Sequence, residues 1–107
     1  MTATIELSHW INGERRGAGT VESLNPSDTR EVVALAPEGG AAEVDEAVAA
    51  ASAAFDGWAG ASPEVRSDVL DRAGTLLMER REAVGRLLSR EEGKTPAEGI
   101  GETARAA

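Results

Sequence analysis

Enzymatic chemistry needs a nucleophile, a titrating base or a cluster of metal ligands, and this sequence is poor in all three. His9 is its only histidine, Lys94 its only lysine, and there is no cysteine. One histidine cannot pair into a zinc-type site, and without cysteine there is neither a thiolate ligand nor a thiol nucleophile. Ser and Thr hydroxyls are present, but no second histidine or nearby lysine can activate them. His9 is most simply a strand residue facing one side of a hairpin. Lys94 falls beside a helix end, where a cation meets the dipole favourably, and that reading is preferred to a catalytic lysine. Glu91 and Glu92 are adjacent acids at a helix terminus; such a pair can hold a cation or act as acid and base, but is usually solvated. Gly39-Gly40 comes nearest to a phosphate cradle, after a strand and before a helix, yet its spacing is wrong for a dinucleotide fingerprint. The residues describe a scaffold, with no catalytic and no cofactor-binding residue.

The composition narrows the partners. A net charge of −8 argues against nucleic acid or an anionic membrane surface. No apolar run approaches the ~18 residues of a membrane span, and no basic-then-apolar signal opens the chain; the expectation is a soluble, cytoplasmic protein. With 107 residues there is room for one domain at most. Of its apolar residues 20 are Ala, against 8 Leu, 8 Val, 3 Ile and 1 Phe. Alanine contributes little burial per residue, so the isolated chain is expected to be marginally folded or self-associating.

The elements that would position any site divide at Gly40. Before it the chain reads as short strands and turns. Leu7, His9 and Ile11 alternate with Ser8 and Trp10, and Asn12-Gly13 is the dipeptide favoured in a two-residue hairpin turn. Glu14 to Arg16 returns. A second turn lies at Asn25-Pro26-Ser27-Asp28, followed by a strand over Glu31 to Ala36. After Gly40 everything reads as helix. Val44, Val48, Ala51, Phe55 and Trp58 form one stripe, with Glu43 in the first turn. Phe55 and Trp58 are expected to anchor the core against Val65 and Val69. Ser62-Pro63-Glu64 opens a second helix. Its apolar face continues so far that a break is expected near Arg80-Arg81-Glu82. Asp68 with Arg72 and Glu82 with Arg86 are i,i+4 pairs. Gly93 stops the helix, and Thr95-Pro96-Ala97-Glu98 opens another with a capping box. The apolar stripe from Ala97 runs to Ala107 with no stop signal, which is expected of a truncated chain.

The order of these elements resembles the N-terminus of the aldehyde dehydrogenase superfamily. Trp10-Ile11-Asn12-Gly13-Glu14 resembles that family's opening hairpin, and Leu24 to Val32 its Asn-Pro turn and second strand. Val44 to Ala51, with Ala54-Phe55 and Trp58, is similar to its first helix. Ser62 to Arg66, Leu70 and Leu76 to Arg81 are similar to its second, and Glu91 to Glu98 to its Gly-Lys turn and third helix. The wording around Arg90 to Glu102 is similar to members acting on oxo-acid semialdehydes. The resemblance covers nearly the whole chain from Trp10.

What the resemblance implies is an α/β fold: an N-terminal β-hairpin and strand followed by three or four α-helices, an incomplete part of a Rossmann-like cofactor-binding domain. Residues 1–107 would be the N-terminal part of that domain, with 1–40 its hairpin and strand region and 41–107 its helical region. The family's enzymes oxidise an aldehyde to a carboxylic acid through a catalytic cysteine and pass hydride to NAD or NADP. Those residues come later in the family's chain, so the fragment alone is expected to be inactive and to bind no cofactor, its partners being the remainder of the chain and a homo-oligomer of the parent. Some members hold a monovalent cation through backbone carbonyls before the Asn-Pro turn and an acid before the Gly-Lys turn; those positions are Ser23, Leu24 and Glu91. At this point the alternative stays open: a self-contained acidic helical interaction module without enzymatic activity.

Overall fold

The computed structural model describes residues 3–107. Its strands are β1 (Ile5–Glu6), β2 (His9–Ile11), β3 (Glu14–Arg16), β4 (Val21–Asn25) and β5 (Asp28–Ala36). The helices follow as α1 (Ala41–Ala59), α2 (Pro63–Glu79), α3 (Arg81–Glu92) and α4 (Pro96–Ala106). Strands first and four helices after make an α/β chain, consistent with a partial Rossmann-like domain. Two strands were not legible from the sequence: β1, only two residues long, and β4, whose Val21 to Asn25 lacks a clean alternation. The chain divides into two compact units, one comprising the stretch up to Ser23 with Ala34–Ala61, the other Leu24–Val33 with Ser62–Ala107.

In the first unit the Asn12-Gly13 turn is built as expected, with φ +52° and +75°. Positive φ at both central residues is the two-residue turn whose twist matches a hairpin. β2 and β3 pair antiparallel, His9 opposite Arg16 and Ile11 opposite Glu14. The alternation turns Ile11 into the interior and leaves Trp10 exposed, its ring capped by the Arg15 guanidinium 5.6 Å from the centroid. β1 lies parallel to the end of β5, Ile5 opposite Ala34 and Glu6 opposite Leu35. α1 begins after Gly40, whose N–H donates to Glu43 Oε2 at 2.8 Å. The carboxylate thus satisfies an end amide that the helix leaves free. Arg16 Nη1 reaches Glu46 Oε1 at 2.6 Å, tying the hairpin to one side of α1.

The expected aromatic anchor is not found. Phe55 is 66% exposed and Trp58 47%, and α1 has no buried residue. The stripe is real, but of its residues Ala51 alone lines a groove with Trp10 and Ile11, while Val44, Val48, Phe55 and Trp58 stay exposed; the buried apolar side chains here are Ile11 and Ala34.

In the second unit the start and stop signals are where the sequence puts them. Ser62 Oγ accepts from Val65 N–H at 3.3 Å, with Pro63 first in α2. The helix breaks at Arg80 (φ −100°, ψ 9°), and α3 starts at the next residue. Gly93 ends α3 at φ +80°, in the left-handed region, with its N–H donating to Ser89 O at 2.8 Å. A side chain there would be strained, and its Cβ would also meet Pro26 Cγ at 2.8 Å. Thr95 caps α4: its N–H donates to Glu98 Oε2 at 2.9 Å, and its Oγ1 accepts from Glu98 N–H at 3.4 Å.

The core of this unit is a crossing of small residues. Gly85 and Ser89 of α3 and Gly99 and Thr103 of α4 are all buried. A Cβ on Gly85 would sit 2.5 Å from the Ile100 backbone, and one on Gly99 would run into Gly85 O and Ser89 Oγ. The two backbones therefore touch directly. Both buried hydroxyls are satisfied locally, Ser89 Oγ within 2.9 Å of Gly85 O and 3.0 Å of Thr95 O, and Thr103 Oγ1 donating to Gly99 O at 2.9 Å. Val33 is the most fully buried large side chain, at 1% exposure. The i,i+4 pairs read from the sequence, Asp68 with Arg72 and Glu82 with Arg86, are not among the ion pairs that form.

Candidate functional site

The charged side chains of the second unit gather where the Asn25–Asp28 turn and the end of α3 carry them. Asn25 is held by the turn, its Oδ1 accepting from Ser27 N–H at 2.9 Å, which leaves its amide to donate to Glu31 Oε2 at 2.6 Å. The other oxygen of Glu31 accepts from Arg90 Nε at 2.8 Å, and Arg90 Nη2 lies 2.7 Å from the same oxygen, in ionic contact but out of line for a second hydrogen bond. The Asn25 amide, and after it the Arg90 guanidinium, hold the Glu31 carboxyl below its ordinary range.

A second set surrounds Lys94. Its Nζ donates to Glu102 Oε2 at 2.7 Å and lies 2.6 Å from Glu92 Oε2. Glu102, then Glu92, raise the lysine above its usual value. The expectation that Lys94 simply faces a helix end is thereby refined: it bridges the last turn of α3 to α4. Glu92 is its partner and not a free half of an acidic pair. A lysine held fully protonated between two carboxylates is neither a nucleophile nor a base.

Helix starts could still hold an anion, since their free N–H groups point outward. Here every one of the four carries an acid in its first turn: Glu43, Glu64, Glu82 and Glu98. Gly40 N–H is already given to Glu43, so the Gly39-Gly40 segment is no phosphate cradle. These residues do not fit a dinucleotide. His9 Nε2 stands 3.4 Å from Glu38 O, a strand residue closing a loop.

The residues expected to bind a cation are placed as follows. Ser23 and Leu24 lie in β4, Ser23 half-buried and Leu24 exposed. Glu91 lies exposed in the last turn of α3. Leu24 and Glu91 belong to the second unit and Ser23 to the first. Among the described residues no group of three or more His, Cys, Asp and Glu could hold a metal ion. No helix among them is long and apolar enough to cross a membrane. Sequence reasoning missed Glu31 and Arg90, 59 residues apart and in no common motif. It also missed Glu102, though Glu98 and Glu102 stand one helical turn apart on α4.

Comparison with known proteins matches residues 10–107 to the model of the aldehyde dehydrogenase family, the same starting residue at which the resemblance begins. The 2-aminomuconic semialdehyde dehydrogenase of Bos taurus is 43% identical over 90 residues, 83% of this chain and 18% of the relative. The 1-pyrroline-5-carboxylate dehydrogenase of Bacillus pumilus is 37% identical over 97 residues, 90% of this chain and 19% of the relative. An alpha-ketoglutarate semialdehyde dehydrogenase of Haloferax volcanii is 37% identical over 101 residues, 92% and 21% of the two chains. The chain thus spans about a fifth of the length of these curated relatives. With its Asn12-Gly13 turn, its Asn-Pro turn and its Gly-Lys turn all inside the matched region, the chain belongs to the aldehyde dehydrogenase family.

Proposed function

We propose that this chain is the N-terminal part of an NAD(P)-dependent enzyme that oxidises an aldehyde to a carboxylic acid, with the catalytic residues beyond residue 107. The observation that carries the reading is the family match over residues 10–107, joined to relatives that are semialdehyde and related dehydrogenases. The site geometry supports the division of labour: charged groups at the Asn25–Asp28 turn and around Lys94 are paired with one another and serve to hold elements in place.

NAD or NADP belongs, on this reading, to the whole protein, and no cofactor binds residues 1–107 alone. The whole of 1–107 is assigned to the cofactor-binding domain, its partners are the remainder of the chain and further copies of the whole protein, and its place is the cytoplasm. Ser23, Leu24 and Glu91 remain the proposed monovalent-cation ligands. What supports the domain, partner and cation assignments is the resemblance, and what supports the cytoplasmic one is the expectation from the sequence. The oxo-acid semialdehyde type is the substrate class favoured by the Arg90 to Glu102 wording.

The test is formation of NAD(P)H from a panel of aldehydes and semialdehydes. A family-length chain carrying this segment turns over, and the 107-residue chain gives none, having no thiol to form a thiohemiacetal. Turnover by residues 1–107 alone, or none by the long chain, would overturn the proposal.

A further inference from the structure

The chain has two asparagines, and their surroundings are opposite. Asn25 is locked: its Oδ1 accepts from Ser27 N–H at 2.9 Å and its amide donates to Glu31 Oε2 at 2.6 Å. Pro26, which follows it, has no backbone N–H. Asn12 is exposed, and no hydrogen bond among the described residues engages its side chain. Gly13, which follows it, is exposed at the tip of the β2–β3 turn, with open space where a Cβ would stand. The Gly13 N–H donates to no acceptor among the described residues.

A mobile carboxamide beside an unhindered, unbonded backbone N–H permits one reaction. When water takes the proton from Gly13 N–H, the nitrogen can attack Cγ of Asn12 and close a five-membered ring. The N–Cγ bond forms, the Cγ–Nδ2 bond breaks, and the amide nitrogen takes up a proton and leaves as ammonia. Water then opens the cyclic imide at either carbonyl. Addition at Cγ gives aspartate; addition at the main-chain carbonyl gives isoaspartate, in which the backbone runs through Cβ and Cγ. Water is the only co-reactant. Asp56-Gly57 offers a similar dipeptide, but it lies inside α1, where the helical backbone holds the carboxyl away from the next nitrogen.

We propose that Asn12 is a site of spontaneous covalent modification, cyclising onto the Gly13 nitrogen and opening to aspartate and isoaspartate, and that the isoaspartyl form releases the hairpin from α1. The turn depends on positive φ at both central residues, +52° and +75°, which sets Ile11 opposite Glu14 and His9 opposite Arg16. Aspartate keeps that backbone, since Asp-Gly suits the same turn. Isoaspartate inserts one more carbon into a two-residue loop, and the register no longer closes. That register buries Ile11 and brings Arg16 Nη1 to Glu46 Oε1 of α1 at 2.6 Å. Both contacts are lost together. None of this depends on which reaction the whole protein performs.

The test incubates the family-length protein at mildly alkaline pH, folded and in urea, and follows the peptides holding residues 12, 25 and 56 by mass spectrometry. In the folded protein Asn12 gains about 1 Da, at least ~10-fold faster than Asn25, and yields isoaspartate and aspartate as two separable products. Asn12→Gln stops the change, because closure would need a larger ring. Deuterium uptake over β2 and β3 rises in the isoaspartyl species and stays at the wild-type level in Asn12→Asp. Conversion of Asn12 as slow as that of Asn25 overturns the proposal. So does a folded rate at least ~10-fold below the rate in urea, which would mean that the turn protects its own asparagine. Aspartate as the sole product would show direct hydrolysis without the imide, and unchanged uptake in the isoaspartyl species would remove the release of the hairpin.

Discussion

Arg90 Nε donates to Glu31 Oε1 at 2.8 Å across 59 residues of chain, and through the other oxygen of Glu31 the pair is coupled to Asn25 at 2.6 Å. One carboxylate therefore joins a strand, a turn and the last turn of α3. The side chains are 16% and 28% exposed, so water competes only in part. Either Arg90→Ala or Glu31→Gln should lower the urea midpoint, and Arg90→Lys, which keeps the charge but loses the Nε donor, should fall between them and wild type. A double-mutant cycle on Glu31 and Arg90 should give a favourable coupling that shrinks with added salt. Purely additive losses would show that the two side chains act independently.

The pH dependence has two edges of opposite sign. Glu31, Glu43 and Glu98 are lowered, the first by the Asn25 amide and Arg90, the second by Gly40 N–H, the third by Thr95 N–H and hydroxyl. A lowered carboxyl contributes stability that is present above its unfolded value and is lost as pH falls through the folded one. Lys94 is raised by Glu102 and Glu92. Its contribution is present below the unfolded lysine value, roughly 10.4, and is lost as pH rises through the folded one. Stability should therefore be flat at neutral pH, fall in acid below about pH 4 and fall again in strong alkali. Carbon-detected NMR titration should place the Glu31 carboxyl below a solvent-exposed glutamate, and Arg90→Ala should move it back towards that reference. A Glu31 titration unchanged by Arg90→Ala would contradict the assignment.

Gly99→Ala tests the crossing of α3 and α4. The added Cβ would run into Gly85 O, a backbone atom that cannot swing aside. Overpacking of this kind typically costs about 1–3 kcal/mol. Gly101→Ala, on the same helix with open space around it, should be neutral or slightly stabilising through helix propensity. Equal behaviour of the two variants would mean that the helices do not touch as described.

Local signals and tertiary ones were legible to different degrees, for a physical reason. Ser62-Pro63, Thr95-Pro96-Ala97-Glu98, Gly93 and Asn12-Gly13 act within a few residues, through a cap, a fixed φ or a positive φ. Each is found where the sequence puts it. The break at Arg80 was expected from length alone. Burial is another matter. Periodicity says which residues share a stripe but not whether another element covers it, so the stripe of α1 was read as core when within its unit it is surface. Apart from Val33, the buried residues of the second unit are glycine, serine and threonine, which no hydrophobic pattern marks. Glu31 and Arg90 meet only because of how their unit folds. The family itself was legible from five short motifs in order, since four of them mark a turn or a helix start and the fifth is the apolar stripe of α1.

Hydrogen exchange on the 107-residue chain should follow this distribution of packing and not the apolar stripes. The sequence alone favours protection in α1 and α2. The structure places the close contacts in α3 and α4, while neither α1 nor α2 has a buried residue. Amides of Val84 to Arg90 and of Gly99 to Ala104 should exchange more slowly than those of α1, because opening them separates two touching backbones. Faster exchange in α3 and α4 than in α1 would reverse the assignment of the core.

The last prediction replaces the expected aromatic anchor. Truncating Phe or Trp in a packed core typically costs about 3–5 kcal/mol, whereas surface substitutions usually stay within about 0.5 kcal/mol. Phe55 and Trp58 stand with the surface group in the 107-residue chain, at 66% and 47% exposure, while Ile11 is 6% exposed. Phe55→Ala and Trp58→Ala should therefore leave the urea midpoint of this chain nearly unchanged. Ile11→Ala should cost about 2–5 kcal/mol, a large part of the stability of so small a fold. In the family-length chain the aromatic variants should become costly, because there, as proposed above, the remainder of the chain is the partner of this segment. Acrylamide quenching of Trp58 in a Trp10→Phe background gives the matching optical readout: strong in the short chain and, with any downstream tryptophans replaced, weak in the long one. If Phe55→Ala already unfolds the 107-residue chain, its aromatics form a core that the exposed stripe of α1 does not describe.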